Sequence, residues 1–491
     1  MPETIPFAAF EPDKSDRENP TAEAKGVVSY GGQYAPFPDL ADYDADAEAD
    51  AQVVGARAVY DSSTAPNIFF GDASKLYKLT DRAAEDVSKS GGYALTSEGT
   101  WQFAQFGDNV VAVTGAEVPQ HYEMGTSADF TDLAGSPPSA ATSVARVNDF
   151  LMMGELYTAH WSAFNDITDW TPDPATQAGN QELDQEQGEI QTIIGLDYAA
   201  LFQERAVRRA IYVGPPVIWD FGQDYVEKAA GCVSRNGAAA YNRLIFYVSD
   251  GGFRVFDGQA SVSIGHGKVD DYFVRRLNYP YRHRVAVGVD PQRKLVVFGY
   301  PAGSSEVISD LLIYAVEDGR WTRDEVDLDF LFDTPSEPES IDVSSGFWDQ
   351  SIDAAPLSTF DIDSGVFDDR RRRLAGFKVA NHRLALFTGA ARAATLHTRE
   401  FEPMAGMRAM VSEIWPLGDF QQGQVSAAVG YRKALPGEAM QFTNPTTMNR
   451  AGFCPQRVDA RFLLGRVLLG AGASWRRMEG IHATATPTGQ R

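Results

Sequence analysis

The run LIFYVSDGGFRVFDG, Leu244 to Gly258, decides the fold. Two apolar stretches rich in aromatic and β-branched residues flank Asp250, Gly251 and Gly252, which tolerate the positive φ of a tight turn, so the run predicts a β-hairpin. LLIYAVEDGRW, Leu311 to Trp321, repeats the device with Asp318 and Gly319 at its turn. WQFAQFGDNVVAVTG, Trp101 to Gly115, places Gly107, Asp108 and Asn109 between an alternating strand and a continuously apolar one.

Ordered along the chain, such segments form a loose series: NIFFGD at Asn67, FGDNVVAVTG at Phe106, VNDFLMMGEL at Val147, GLDYAALFQE at Gly195, NRLIFYVSDG at Asn242, QRKLVVFGYP at Gln292 and NHRLALFTG at Asn381. A polar turn precedes four or five apolar residues each time. Neighbours lie roughly 40 to 50 residues apart, except for a last gap of about twice that, and this is the length of a four-stranded propeller blade. The expected fold is all-β, a β-propeller of six to eight blades. A β-sandwich or a pair of β-domains also places strands every 8 to 12 residues or so, but its repetition stops after about one hundred residues. No WD or kelch signature recurs with the series. DYAALFQERAVRRAIYV, Asp197 to Val213, has helix-compatible composition, yet its flanks and its place in the series favour a hairpin whose second strand exposes Arg205, Arg208 and Arg209.

Three regions follow. Residues 1–56, Pro-rich, Tyr-rich and acidic, read as an extended arm, with Tyr30, Tyr34 and Tyr43 as contacts to a neighbouring subunit or as part of an inert wrap. Residues 57–406 carry the propeller, interrupted near 324–369 by an acidic insertion whose Asp324, Glu325, Asp327 and Asp329 are candidates for lining a channel. Residues 407–491 read as strands that either close the ring or form a small β-domain at an interface.

Composition narrows the function. With 44% hydrophobic residues the chain has ample core, and with a net charge of −24 it lacks the clustered cations that phosphate neutralisation on nucleic acid needs. Acidity suits either plain solubility or a wall along which DNA slides without sticking. Cys232 and Cys454 have no metal-ligand spacing and read as buried thiols, and the seven histidines are scattered singly. The N-terminus, MPETIPFAAFEPDK, has neither a basic nor an apolar leader region, and no stretch reaches membrane-span length, so synthesis in the cytoplasm is expected. GHGK, Gly265 to Lys268, lacks P-loop spacing and reads as lying between β segments rather than before a helix. The acidic strings at Asp42 to Asp50 and Asp361 to Gly365 lack regular calcium-loop ligands. No catalytic, cofactor or metal residues are expected, and the chain reads as a non-enzyme. The enzyme alternative is a glycan-binding or glycan-cleaving propeller with paired carboxylates and an arginine cluster. Arg370, Arg371, Arg372 and Arg373 read as a solvated loop or as a docking contact to an acidic neighbour.

Several stretches together resemble the tail hub or nozzle proteins of short-tailed bacteriophages, the packaged-DNA stabilisation proteins. They are YAPFPDL at Tyr34, KLYKLTD at Lys75, DVSKSGGY at Asp86, WQFAQFGDNVVAV at Trp101, HWSAFNDITDW at His160, SDGGFRVFDG at Ser249, IGHGKVDDYF at Ile264 and the closing strands to Arg491. The resemblance spans nearly the whole chain. It implies a β-propeller with an added tail-interface region, located in the virion tail. It also implies a homo-oligomeric ring of six below a portal-proximal adaptor, with a needle, plug, spikes or fibres beneath and viral DNA passing without specific binding. The acidic insertion has no counterpart in the resembled family. Six copies would bring roughly −140 formal charges around one axis, as a low-friction channel requires.

Overall fold

In the computed structural model, which describes residues 4–14, 23–62, 66–80, 82–222, 225–335, 372–403, 407–421, 423–432 and 439–489, the decisive hairpin sets Ser249 opposite Gly252 across Asp250 and Gly251. Gly252 takes φ 125°, a conformation that suits glycine. The hairpins at 102–113 and 308–325 also form about the expected turns. So does that of Ala199–Gln203 with Val207–Gly214, the segment of helix-compatible composition. Strands occupy 54% of the described residues and helices 4%, which places the chain in the all-β class.

The repeats organise as small antiparallel sheets. Five of them, spanning 55–86, 102–132, 143–182, 190–220 and 238–263, are four-stranded meanders. A sixth consists of Ala286–Asp290, Leu295–Tyr300, Ile308–Ala315 and the first part of Arg320–Pro335. The first strands of successive sheets lie side by side, and the far part of Arg320–Pro335 lies beside Gly55–Tyr60. This is a propeller-like arrangement.

Side-chain parity explains the continuous apolar runs. In each second strand, alternate residues enter different cores: Phe69 faces the second sheet, while Ile68 and Phe70 face the opposite way. Val111 and Val113 face the third sheet, whereas Val110 and Ala112 face the first. The same split separates Leu151 and Met153 from Phe150 and Met152, and Ile245 and Tyr247 from Phe246 and Val248. A sheet covered on both faces needs apolar residues at every position, so period-two alternation disappears where burial is greatest.

The last sheet of this series corrects the expected start of the insertion. Asp324 to Pro335 belongs to one long strand, Arg320–Pro335, which leaves Ile308–Ala315 at a register irregularity and then pairs with Arg372–Lys378. That strand pairs with Leu384–Ala391, whose other edge takes Pro38–Asp42 from the N-terminal region. The remainder of the expected insertion, 336–369, lies outside the described residues.

Within the expected 1–56 arm, described residues between 5 and 42 pair into sheets rather than standing as an extended arm. Val27–Tyr30 and Gln33–Pro36 form a hairpin in a sheet with Trp475–Gly489, Arg408–Phe420 and Cys454–Ala460, and Ile5–Pro6 adds to the same long C-terminal strand. Ala24–Lys25 bridges Arg320–Pro335 and Ala394–His397. Ala394–His397 continues into Phe462–Leu469 and Val425–Arg432, so these C-terminal strands join the sheet of Ala286–Asp290 to Arg320–Pro335 through Ala24–Lys25, and the C-terminal region already begins before residue 407. Tyr34, Val411, Ile414, Met478 and Ile481 share its core with residues of the fifth and sixth sheets.

GHGK does precede a helix, contrary to expectation: Asp270–Arg276 follows it. Asp270 turns back to accept a hydrogen bond from the Phe253 amide at 3.0 Å, tying the short helix to the decisive hairpin.

Candidate functional site

Two cavities occupy the space enclosed by the first strands and their connecting loops, and Arg235 lines both. The smaller, about 280 Å³, receives side chains or backbone from every first strand: Arg57, Gln102, Arg146, Thr192, Ala239, Val287 and Asp333 in turn. The larger, about 720 Å³, is lined by loops and carries Glu98, Glu189, Glu204 and Asp250 together with Arg205, Arg282 and His283.

Gln102 fixes the waist between them. Its side-chain amide donates to the Arg235 carbonyl and accepts from the Val144 amide at 3.4 Å. The Arg235 guanidinium donates to the Thr114 carbonyl at 3.2 Å. Burial pushes the Arg235 pKa down, with Glu189 and Glu98 opposing. Arg57 is accessible to solvent yet surrounded by protein; burial pushes its pKa down, Asp333 opposes and Arg372 adds to the depression. Arg372 pairs with Asp333 at 3.1 Å. Arg146 lies 3.6 Å from Asp149 and stacks over Phe106 at 5.3 Å. At the larger cavity, burial lowers His283, helped by Arg284 and opposed by Glu98. The smaller chamber therefore has an excess of guanidinium, and the larger mixes both signs.

The three tyrosines chosen from sequence do not form one surface. Tyr30 is 58% exposed, with Arg477 stacked 3.9 Å above its ring. Tyr34 is buried and donates to the Ala8 carbonyl at 2.6 Å, so it is a core residue of its own chain. Tyr43 packs partly buried beside the core around Phe37, its amide donating to the Leu384 carbonyl at 2.9 Å. Arg370 and Arg371 lie outside the described residues; Arg372 and Arg373 sit in a strand opposite Pro335 and Thr334.

The four acids are also dispersed. Asp324 is buried against the Arg392 guanidinium at 2.5 Å, and Asp329 against His382 at 2.5 Å. Glu325 pairs with Lys25 at 2.5 Å and Arg323 at 2.6 Å, whereas Asp327 is exposed. Arg208 and Arg209 are engaged as well, donating to Gly222 and Gly258 carbonyls at 2.8 and 2.6 Å, and Arg205 precedes the strand. Cys232 and Cys454 are free buried thiols, pushed by burial to about 12 and about 11.

The sequence reading missed Arg57, Arg146 and Arg235. A signal existed for two of them, a lone cation within an apolar strand, GARAVY and SVARV. Among the described residues no cluster of three or more histidines, cysteines or acids could hold a metal ion, and no helix is long and apolar enough to cross a membrane.

No family model and no curated protein matches the chain. Solved structures align with it at low similarity. A chain of a mitotic checkpoint complex aligns at TM-score 0.40 and 9% identity, covering 73% of this chain and 97% of that one. The extracellular domain of a putative one component system from B. thetaiotaomicron aligns at TM-score 0.42 and 10% identity, covering 84% of this chain and 48% of that one. The extracellular domain of a putative hybrid two component system from B. thetaiotaomicron aligns at TM-score 0.41 and 10% identity, covering 84% of this chain and 47% of that one. The chain thus spans about half the length of these bacterial sensor chains.

Proposed function

We propose that the chain is a structural subunit of a bacteriophage tail, a hub or nozzle component that assembles as a ring of six and extends the DNA channel below the portal. Its body is a seven-bladed wheel: the sixth sheet is followed by a seventh formed by the end of Arg320–Pro335, Arg372–Lys378, Leu384–Ala391 and Pro38–Asp42. An outer strand from the N-terminal region laces the last blade, and a β-region made from both ends of the chain is joined to the sixth sheet through Ala24–Lys25. A wheel whose every blade is packed on both faces is stiff, as a wall against pressurised DNA must be.

The supporting observation is where the family-like phrases fall. YAPFPDL runs from a core strand of the terminal β-region into the lacing strand, and IGHGKVDDYF forms the helix pinned to the fifth sheet. Those phrases coincide with the joints of the architecture. Partners in this reading are an adaptor above and a needle, plug, spikes or fibres below, with DNA repelled by a strongly negative assembly.

Light-scattering mass and negative-stain microscopy of the purified chain, alone and with the adaptor encoded beside it, test the proposal. The expected result is a six-fold ring, formed alone or with the adaptor. A monomer in both preparations that cleaves host-surface polysaccharide would overturn it in favour of a glycan-active propeller.

A further inference from the structure

We propose that the smaller cavity binds a compact polyvalent oxyanion, phosphate or a phosphate ester, through the guanidinium groups of Arg57, Arg146, Arg235 and Arg372. This inference does not depend on the tail assignment.

The chamber reverses the charge of the molecule that contains it. The chain carries −24, yet among the described residues the walls of this cavity hold four arginines and a single carboxylate, Asp333. Asp333 is engaged by Arg372, and Arg146 leans toward Asp149 at the tip of its hairpin. The Arg57 side chain makes no hydrogen bond or ion pair to any described residue, and among them the Arg235 guanidinium donates only to the Thr114 carbonyl. Both guanidiniums are surrounded by protein yet reached by solvent, and neither is paired with a described carboxylate, so an anion entering the chamber meets them without displacing an ion pair. Surrounding protein depresses the pKa of both.

An oxyanion relieves the mismatch. Guanidinium presents a planar fork of donors that matches phosphate oxygens pairwise, and charge-assisted bonds of this kind are the strong ones. At about 280 Å³ the cavity lies at the small end of ligand pockets, so a phosphate or short polyphosphate fits where a nucleic-acid duplex does not.

Calorimetric titration of the full chain with inorganic tripolyphosphate tests this. One site per chain is expected. Arg57→Gln should weaken it about tenfold or more, with unchanged far-UV circular dichroism and unliganded melting. Asp333→Asn, which removes the lone acid, should tighten it, a change that general damage to the fold does not produce. Parallel titrations use a trinucleotide with and without a 5′-phosphate. Binding of tripolyphosphate alone assigns free phosphate, and added preference for the phosphorylated trinucleotide assigns an ester. Absence of binding by either phosphate probe, or equal affinity in wild type and Arg57→Gln, overturns the proposal.

Discussion

Replacing Phe37 by alanine tests how the last sheet is held. Phe37 is fully buried and stacks on Phe387 at a centroid distance of 5.1 Å, immediately before the strand that pairs with Leu384–Ala391. Its carbonyl also accepts from the Arg392 amide at 2.9 Å. Deleting a buried phenylalanine ring costs about 3–5 kcal/mol, including the cavity left behind, and loss of the stacked pair places this site in the upper part of that range. The loss should act first on the local pairing Leu386 with Ala41 and Phe387 with Leu40. Hydrogen exchange resolved to these amides is the assay. If local opening limits exchange, protection of Leu386 and Phe387 should fall by roughly two to four powers of ten, with the 102–132 sheet much less affected. Replacement of the exposed Tyr30 by alanine serves as the control, with a change within about 0.5 kcal/mol. A Phe37→Ala protein whose 384–391 amides keep their protection to within about tenfold would refute the assignment of 38–42 as the strand that secures this sheet.

Gly252→Ala should destabilise by roughly 1–3 kcal/mol, because a Cβ there lies 2.1 Å from the Asp270 carboxylate and φ is 125°; chemical denaturation of the variant measures it. Burial would raise Glu325, but hydrogen bonds from Lys25 and Arg323 outweigh it and hold the carboxyl down to about 2, against an ordinary value of 4.5. A depressed carboxylate stabilises the fold above its unfolded pKa and loses that contribution as pH falls through its folded pKa. Glu325→Gln should therefore shallow the acid limb of a stability profile between about pH 4.5 and 2, and an unchanged limb contradicts the pairing. Cys232, pushed by burial to about 12, should resist maleimide at pH 8 until the chain is unfolded, as read by intact mass.

The hairpins were legible because their information is local. Asp250-Gly251-Gly252 between two apolar runs specifies turn and register within fifteen residues. The terminal β-region was not legible, although Tyr30-Gly31-Gly32-Gln33 carries its own turn, because that hairpin rests against Met478, far away in the chain. DEVDLDFLF read as an acidic excursion for a related reason. Its two buried acids are answered by Arg392 and His382, partners that the local text does not reveal. The helix after GHGK has acids in its first turn and arginines in its last, consistent with the helix dipole, but seven residues are too few for a period to show. Arg57 and Arg146 became recognisable as a site only once the first strands faced one chamber.

Cryo-electron microscopy of the virion whose genome encodes this chain bears most directly on its role. Six copies arranged around the tail axis below the portal, each with a seven-bladed body and with its terminal β-region at a subunit or adaptor contact, are the predicted density. Absence of the chain from the particle, or a single copy displayed away from the DNA path, contradicts a part in the channel wall.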